Sequence, residues 1–228
     1  MLKAKKSLSP RVKKRQLKED QFITKIFEFY DLGVKYQKQL FYVLIAIVAV
    51  IALSYWVAQD RAASEQNAAV ELARGKAAYN AGRYDEAVDI LTALSQNYDG
   101  TTSAGTGTIF LAKSYYEKQD YTNMEKYFNM YLDEYNDDVL LAVTAIRGLA
   151  VSYDERSDFE KAAAIYADGA KEYNDSYNEP LFLLDAAKCY LAAGNTTAAT
   201  PLLDKVVADY ASNAAAQEAK QLLAENVQ

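Results

Sequence analysis

The stretch Asp99-Gly100-Thr101-Thr102-Ser103-Ala104-Gly105-Thr106-Gly107 is the first place to look for chemistry, because closely spaced glycines can wrap backbone N–H groups around a phosphate. It lacks the Gly-Lys-Ser/Thr ending that such loops use to hold the terminal phosphates and a metal ion, so it reads as a loop and a helix start. Histidine is absent from all 228 residues. That excludes a Ser-His-Asp triad, a His-Glu-x-x-His zinc helix and a histidine phosphorelay. Cys189 is the only cysteine, which excludes an intramolecular disulfide and any multi-cysteine zinc site. Within Ala186-Ala187-Lys188-Cys189-Tyr190 it reads as a small buried hydrophobe on a helix. Asp137-Asp138 and Asp154-Glu155 lack the spacing of a calcium loop and read as solvated turns and helix-start charges. The expectation is a protein that is not an enzyme and holds no metal and no cofactor.

What the residues do show is a period. Tyr98, Tyr135, Tyr173 and Tyr210 follow one another at intervals of 37, 38 and 37 residues. One landmark earlier the same period links Gly82-Arg83-Tyr84, Gln119-Asp120-Tyr121, Ser157-Asp158-Phe159 and Gly194-Asn195-Thr196. A helical stretch precedes each of these turns: Leu72–Asn80, Thr108–Glu117, Ala145–Glu155 and Leu181–Leu191. A second one follows each turn and ends at the periodic tyrosine. A helix–turn–helix unit repeated at fixed spacing is the signature of a stacked array.

These units resemble tetratricopeptide repeats, most closely at Gly82-Arg83-Tyr84-Asp85-Glu86-Ala87 followed by Leu91 and Leu94. The resemblance implies that small residues at Gly75, Ala112, Ala150 and Ala187 let the first helix of each unit, helix A, approach the second, helix B. Ala78, Tyr115, Tyr153 and Tyr190 then fill the space between the pair, and Ala87, Met124, Ala162 and Ala199 face helix A from helix B. Met124 in an alanine slot, Thr196 in an aromatic slot and Pro201 inside the last helix B depart from the pattern. The expected fold is all-α, a single N-terminal transmembrane helix followed by a solenoid of about four helical hairpins over residues 68–213, with units near 68–101, 105–138, 143–176 and 180–213. Residues 214–228 read as a capping helix, which an open-ended array needs.

Leu40 to Ala58 is 19 residues without a charge, about 28 Å as a helix, enough to cross a bilayer core. Residues 1–39 carry a net charge of +7 and residues 59–228 one of −13. Lysine and arginine near one end hold that end in the cytoplasm. A cleaved secretory signal would have a shorter apolar run, and no cysteine stands directly after the segment to carry a lipid. The basic tail over residues 1–20 reads as a topology signal that touches anionic lipid rather than as a nucleic-acid site. Residues 21–39 read as an amphipathic juxtamembrane segment lying on the cytoplasmic surface or meeting a membrane partner. Residues 59–67 read as a polar helical neck.

A basic N-terminus, one membrane helix and a tetratricopeptide array together resemble the ancillary SecYEG translocon subunit family of bacteria. Its repeat domain is similar to that of the cell-division coordinators that work beside the Tol–Pal system. The resemblance implies an inner-membrane protein with a cytoplasmic N-terminus and periplasmic repeats. It also implies a scaffold for envelope proteins or translocating polypeptides, at SecYEG with periplasmic chaperones. The alternative is a structural or regulatory partner of the division or peptidoglycan machinery. An organelle import receptor would place its repeats in the cytosol, on the side the charge asymmetry disfavours. Helices A line the concave face of such arrays, so the aligned units put Lys76, Lys113 and Lys188 in one slot, with Val151 in the third unit. Arg147 lies one turn earlier, and Tyr79 and Tyr116 three residues on. These six cations and tyrosines are the expected partner-binding residues, suited to a segment with acidic groups. The carboxylate clamp of cytosolic tetratricopeptide domains is not reproduced.

Overall fold

The computed structural model describes Lys25 and residues 34–136, 138–174 and 176–226. The basic tail and most of the amphipathic segment lie outside the described residues, as do Asp137, Asp175 and the last two residues. Among the described residues every regular element is an α-helix. In order these are α1 (Gln37–Asn80), α2 (Tyr84–Asn97), α3 (Thr102–Glu117), α4 (Tyr121–Glu134), α5 (Val139–Asp154), α6 (Phe159–Glu172), α7 (Glu179–Ala192), α8 (Thr196–Asp209) and α9 (Ala214–Asn226). The chain divides into two units, Met1–Asp60 and Arg61–Gln228.

In the first unit α1 is long and apolar enough to cross a membrane. Its side chains from Phe41 to Trp56 are exposed. The second unit is a solenoid of helical hairpins. Each helix packs on its neighbour in sequence from α2 to α9, and α3 also meets α5 while α7 meets α9. Two apolar clusters hold it. One runs from Ala68 and Ala78 of α1 through Leu91, Leu111 and Phe128 to Ala145 of α5, the other from Val143 of α5 through Ala162, Phe182 and Leu203 to Ala219 of α9.

The small-residue slots explain how the hairpins close. Ala112, Ala150 and Ala187 are completely buried, and a Cβ on Gly75 would stand 2.4 Å from a methyl of Leu91. Ala87, Ala162 and Ala199 are also fully buried, and Met124 nearly so. Tyr98, Tyr135, Tyr173 and Tyr210 are the C-cap residues of α2, α4, α6 and α8. The periodic tyrosines therefore end each helix B. The glycine-rich stretch is helical sooner than its composition suggests. Thr101 Oγ1 accepts from Ala104 N at 3.1 Å, and Glu65 of α1 accepts from the Ser103 N–H at 3.1 Å. Two caps on free N–H groups start α3 at Thr102, which leaves Gly105 and Gly107 inside the helix. Glu65 belongs to the polar neck, but here it is half-buried and engaged with the second hairpin.

Each A-to-B turn passes through one left-handed residue: Gly82 (φ 71°), Gln119 (φ 59°), Ser157 (φ 62°) and Gly194 (φ 77°). A side chain there costs about 1 kcal/mol or more in backbone strain. A Cβ on Gly82 or Gly194 would meet nothing within 4 Å, so the backbone alone sets the effect. Gly194→Ala is expected to destabilise by about 1 kcal/mol, while Ser157→Gly is expected to cost nothing. Urea unfolding of the two variants beside wild type checks this, and equal losses from both would contradict it.

Candidate functional site

The helix-A face of the first two hairpins gathers on Phe110. Lys76 Nζ lies 5.0 Å and Lys113 Nζ 5.4 Å from its ring centre, and the Tyr79 ring meets it edge-on at 5.6 Å. Cations above an aromatic face are attracted by its quadrupole. Neither lysine has a carboxylate within ion-pair distance among the described residues, so both charges are held by an aromatic surface. Tyr79 also packs on Tyr84 at 5.7 Å. Burial, with the nearby Glu117, pushes its hydroxyl pKa up.

One hairpin further on, α3, α4 and α5 enclose an open cleft of about 300 Å³. Lys113 and Tyr116 stand on one wall, Met124 and Phe128 come from α4, and Thr144, Arg147, Gly148 and Val151 line the α5 side. One position of α5 sets this cleft apart from the same place in the other units. The slot one turn before the lysine slot holds Ala73, Phe110, Gly148 and Asp185 in the four units. Phe110 fills its place, while at Gly148 the Phe128 ring takes the space that a side chain would need. Glycine is required there, since a Cβ would lie 2.2 Å from the Phe128 ring, which is itself buried. Val151 stands where the other units carry lysine and makes that wall apolar.

The structure thus brings Lys76, Tyr79 and Lys113 together on Phe110, and Lys113, Tyr116 and Arg147 together around the cleft. Arg147 donates to Asp185 Oδ2 at 2.7 Å, tying the third unit to the fourth. Burial raises the pKa of Asp185, against the lowering influence of Arg147. Tyr116 donates to Glu155 Oε1 at 3.2 Å, and that carboxylate, followed by burial, raises the tyrosine's pKa. Lys188 stands apart. It pairs with Glu218 of α9 at 2.6 Å and borders a second cavity of about 270 Å³ with Asp154, Tyr166, Asp185 and Cys189. The sequence missed Phe110, Phe128, Thr144 and Gly148. Reading the aligned units for a large side chain followed by glycine in one slot would have found the central pair.

Electrostatics elsewhere knit successive units. Glu125 accepts from Tyr153 Oη at 2.5 Å and pairs with Arg156. Burial acts to raise its pKa, but these hydrogen bonds outweigh it and hold the carboxyl below its ordinary value. Its contribution to stability is therefore present above the ordinary glutamate range and is lost as pH falls through the lowered pKa. Tyr135 donates to Asp99 Oδ1 at 3.0 Å, and burial followed by that carboxylate pushes the phenol up to about 12.

An all-helical solenoid of hairpins with a ligand-sized cleft on its helix-A side belongs to the class of repeat proteins that bind other proteins. The model of the tetratricopeptide repeat-like domain matches residues 35–179, and that of the tetratricopeptide repeat matches residues 182–213. The chain belongs to the tetratricopeptide repeat-like domain family. Among solved structures it is similar to the nearly identical TPR-like repeats of a Podosopora anserina protein described as a putative kinesin light chain. The identity is 16%, the TM-score 0.55, and the match covers 71% of this chain and 86% of that one. A point-substituted form of the same repeats matches with a TM-score of 0.52 at 16% identity, over 71% of this chain and 93% of that one. No curated protein matches the chain. At this identity the solved structures speak for the fold alone.

Proposed function

We propose that this chain is a membrane-tethered tetratricopeptide scaffold of the bacterial inner membrane. Its N-terminus lies in the cytoplasm, and its repeats lie in the periplasm, where they hold envelope proteins or translocating polypeptides at the Sec translocon together with folding factors. The observation that carries the tether is the uncovered apolar run of α1. Its exposed valine, leucine, isoleucine and aromatic side chains would each cost about 1.5–3 kcal/mol in water, and a bilayer removes that cost. The orientation rests on the charge of +7 before the run and −13 after it. The binding face of this reading is the helix-A surface, with Lys76, Tyr79, Lys113, Tyr116 and Arg147 exposed or half-buried along it. Lys188 belongs to this reading by its slot in the repeat and is paired with Glu218.

Protease added to spheroplasts is expected to digest the repeats and spare the N-terminal tail. Repeats that survive in sealed spheroplasts would reverse the orientation. Affinity purification from detergent-solubilised membranes then tests the partners. Translocon subunits and folding factors are the expected companions, and Tol–Pal components or peptidoglycan synthases would move the protein to the division machinery.

A further inference from the structure

We propose that the cleft beside Gly148 is a socket for one large apolar side chain of a partner polypeptide, presented next to a carboxylate. The inference rests on the scaffold reading above and gives its binding face a specific ligand chemistry. The volume of about 300 Å³ lies at the small end of binding cavities and suits one side chain with its flanking backbone. Its floor is apolar and adaptable. Met124, an unbranched thioether that shifts shape at little cost, stands where the other units carry alanine, and the Phe128 ring beside it packs directly against Gly148, where no side chain fits. Its rim is cationic. Lys113 has no carboxylate partner among the described residues, and Arg147 keeps one face open while bound to Asp185, since its side chain is 42% exposed. Lys76 extends the same charge one unit away. A domain of net −13 that collects cations at an apolar hole is complementary to an acidic segment with an apolar anchor, and not to a basic one.

Between the first and second hairpins Phe110 stands in the place that Gly148 holds between the second and third. Between the third and fourth hairpins Asp185 stands there, bound to Arg147, and the second cavity of about 270 Å³ that it borders carries two carboxylates, Asp154 and Asp185, a lining that does not favour an acidic partner. The anchor of an acidic partner is therefore expected beside Gly148 rather than at the second cavity, with the partner's carboxylate toward Lys113.

Fluorescence anisotropy of the full chain in detergent, with labelled short peptides as probes, tests the proposal. The probe carries one leucine flanked by glutamates. The controls replace its leucine by alanine or its glutamates by lysines. The leucine–glutamate peptide is expected to bind at least about tenfold tighter than either control. Thr144→Phe fills the cleft from its rim without entering the core and should remove the leucine preference while leaving thermal unfolding unchanged. Lys113→Glu should remove the preference for acid and keep that for leucine. Equal binding of the leucine and alanine peptides, or an unaltered preference in Thr144→Phe, overturns the socket. Self-association of the chain at the same concentrations would also overturn it, in favour of a second copy as occupant. If membrane partners co-purify equally with wild type and Thr144→Phe, the socket fails and the scaffold reading stands. If none co-purify with wild type, the scaffold reading itself fails.

Discussion

Ala162→Glu is expected to lower the melting temperature of the fragment 61–228 by about 10 °C or more. Ala162 is completely buried in α6, inside the second apolar cluster, with Ala150 and Ala187 in the same cluster. Glutamate would place a carboxylate without a partner in that layer and would force α5 and α6 apart as well. Burying an unpaired charge and overfilling a packed core together cost about 3–5 kcal/mol. The loss should spread, because each hairpin supplies half the interface of the next. Hydrogen exchange would then show lost protection in α5, α7 and α8 as well as in α6. A melting curve like that of wild type would mean that α6 does not bury this face.

The second large effect is expected at Glu179, the first residue of α7. Its side chain is only 3% exposed, and it accepts from Lys205 Nζ and from Tyr210 Oη, each at 2.5 Å. The carboxylate gains from the positive end of α7, while its burial is sustained by donors from α8 and the last periodic tyrosine. The double variant Lys205→Met/Tyr210→Phe removes both of those donors and keeps the buried charge. A cost of about 3 kcal/mol is expected, since a buried charge that loses its counter-charge keeps its desolvation penalty. Adding Glu179→Leu to the double variant should recover most of that loss, because the buried charge is then gone. Chemical denaturation of the double and triple variants measures the difference. A triple variant less stable than the double would mean that Glu179 acts through the start of α7 rather than through these two donors.

Much of the fold was legible because its packing slots recur. A position that must be small to let two helices meet, as at Gly75, Ala112, Ala150 and Ala187, leaves the same mark in every unit. So does the tyrosine that ends each helix B. Left-handed turns were half visible, through Gly82 and Gly194, while Gln119 and Ser157 adopt the same conformation without advertising it. The site was less legible for the opposite reason. Its centre is a break in the repeat, where Phe110 is followed one unit later by Gly148, and a search for sameness passes over it. Partners across units were also hidden. That Glu218 would take Lys188, that Asp185 would take Arg147, and that Glu65 would cap α3 depends on how hairpins stack. Arg147 and Asp185, like Glu65 and Ser103, lie one repeat apart, but the period alone does not say which side chains of adjacent units meet.

The burial of Cys189 has a practical consequence for work on this protein. The residue is 7% exposed in α7, and burial, with Asp154 and Asp185 nearby, pushes the thiol's pKa up to about 12. A thiolate is the species that attacks maleimides and disulfide reagents, so at neutral pH the native cysteine is a poor competitor for them. New cysteines placed at exposed points of the helix-A face, or along α1, can therefore be labelled or cross-linked selectively in the wild-type background. The natural chain is already suited to mapping its own contacts in intact membranes by site-directed thiol chemistry, and a core residue need not be replaced first.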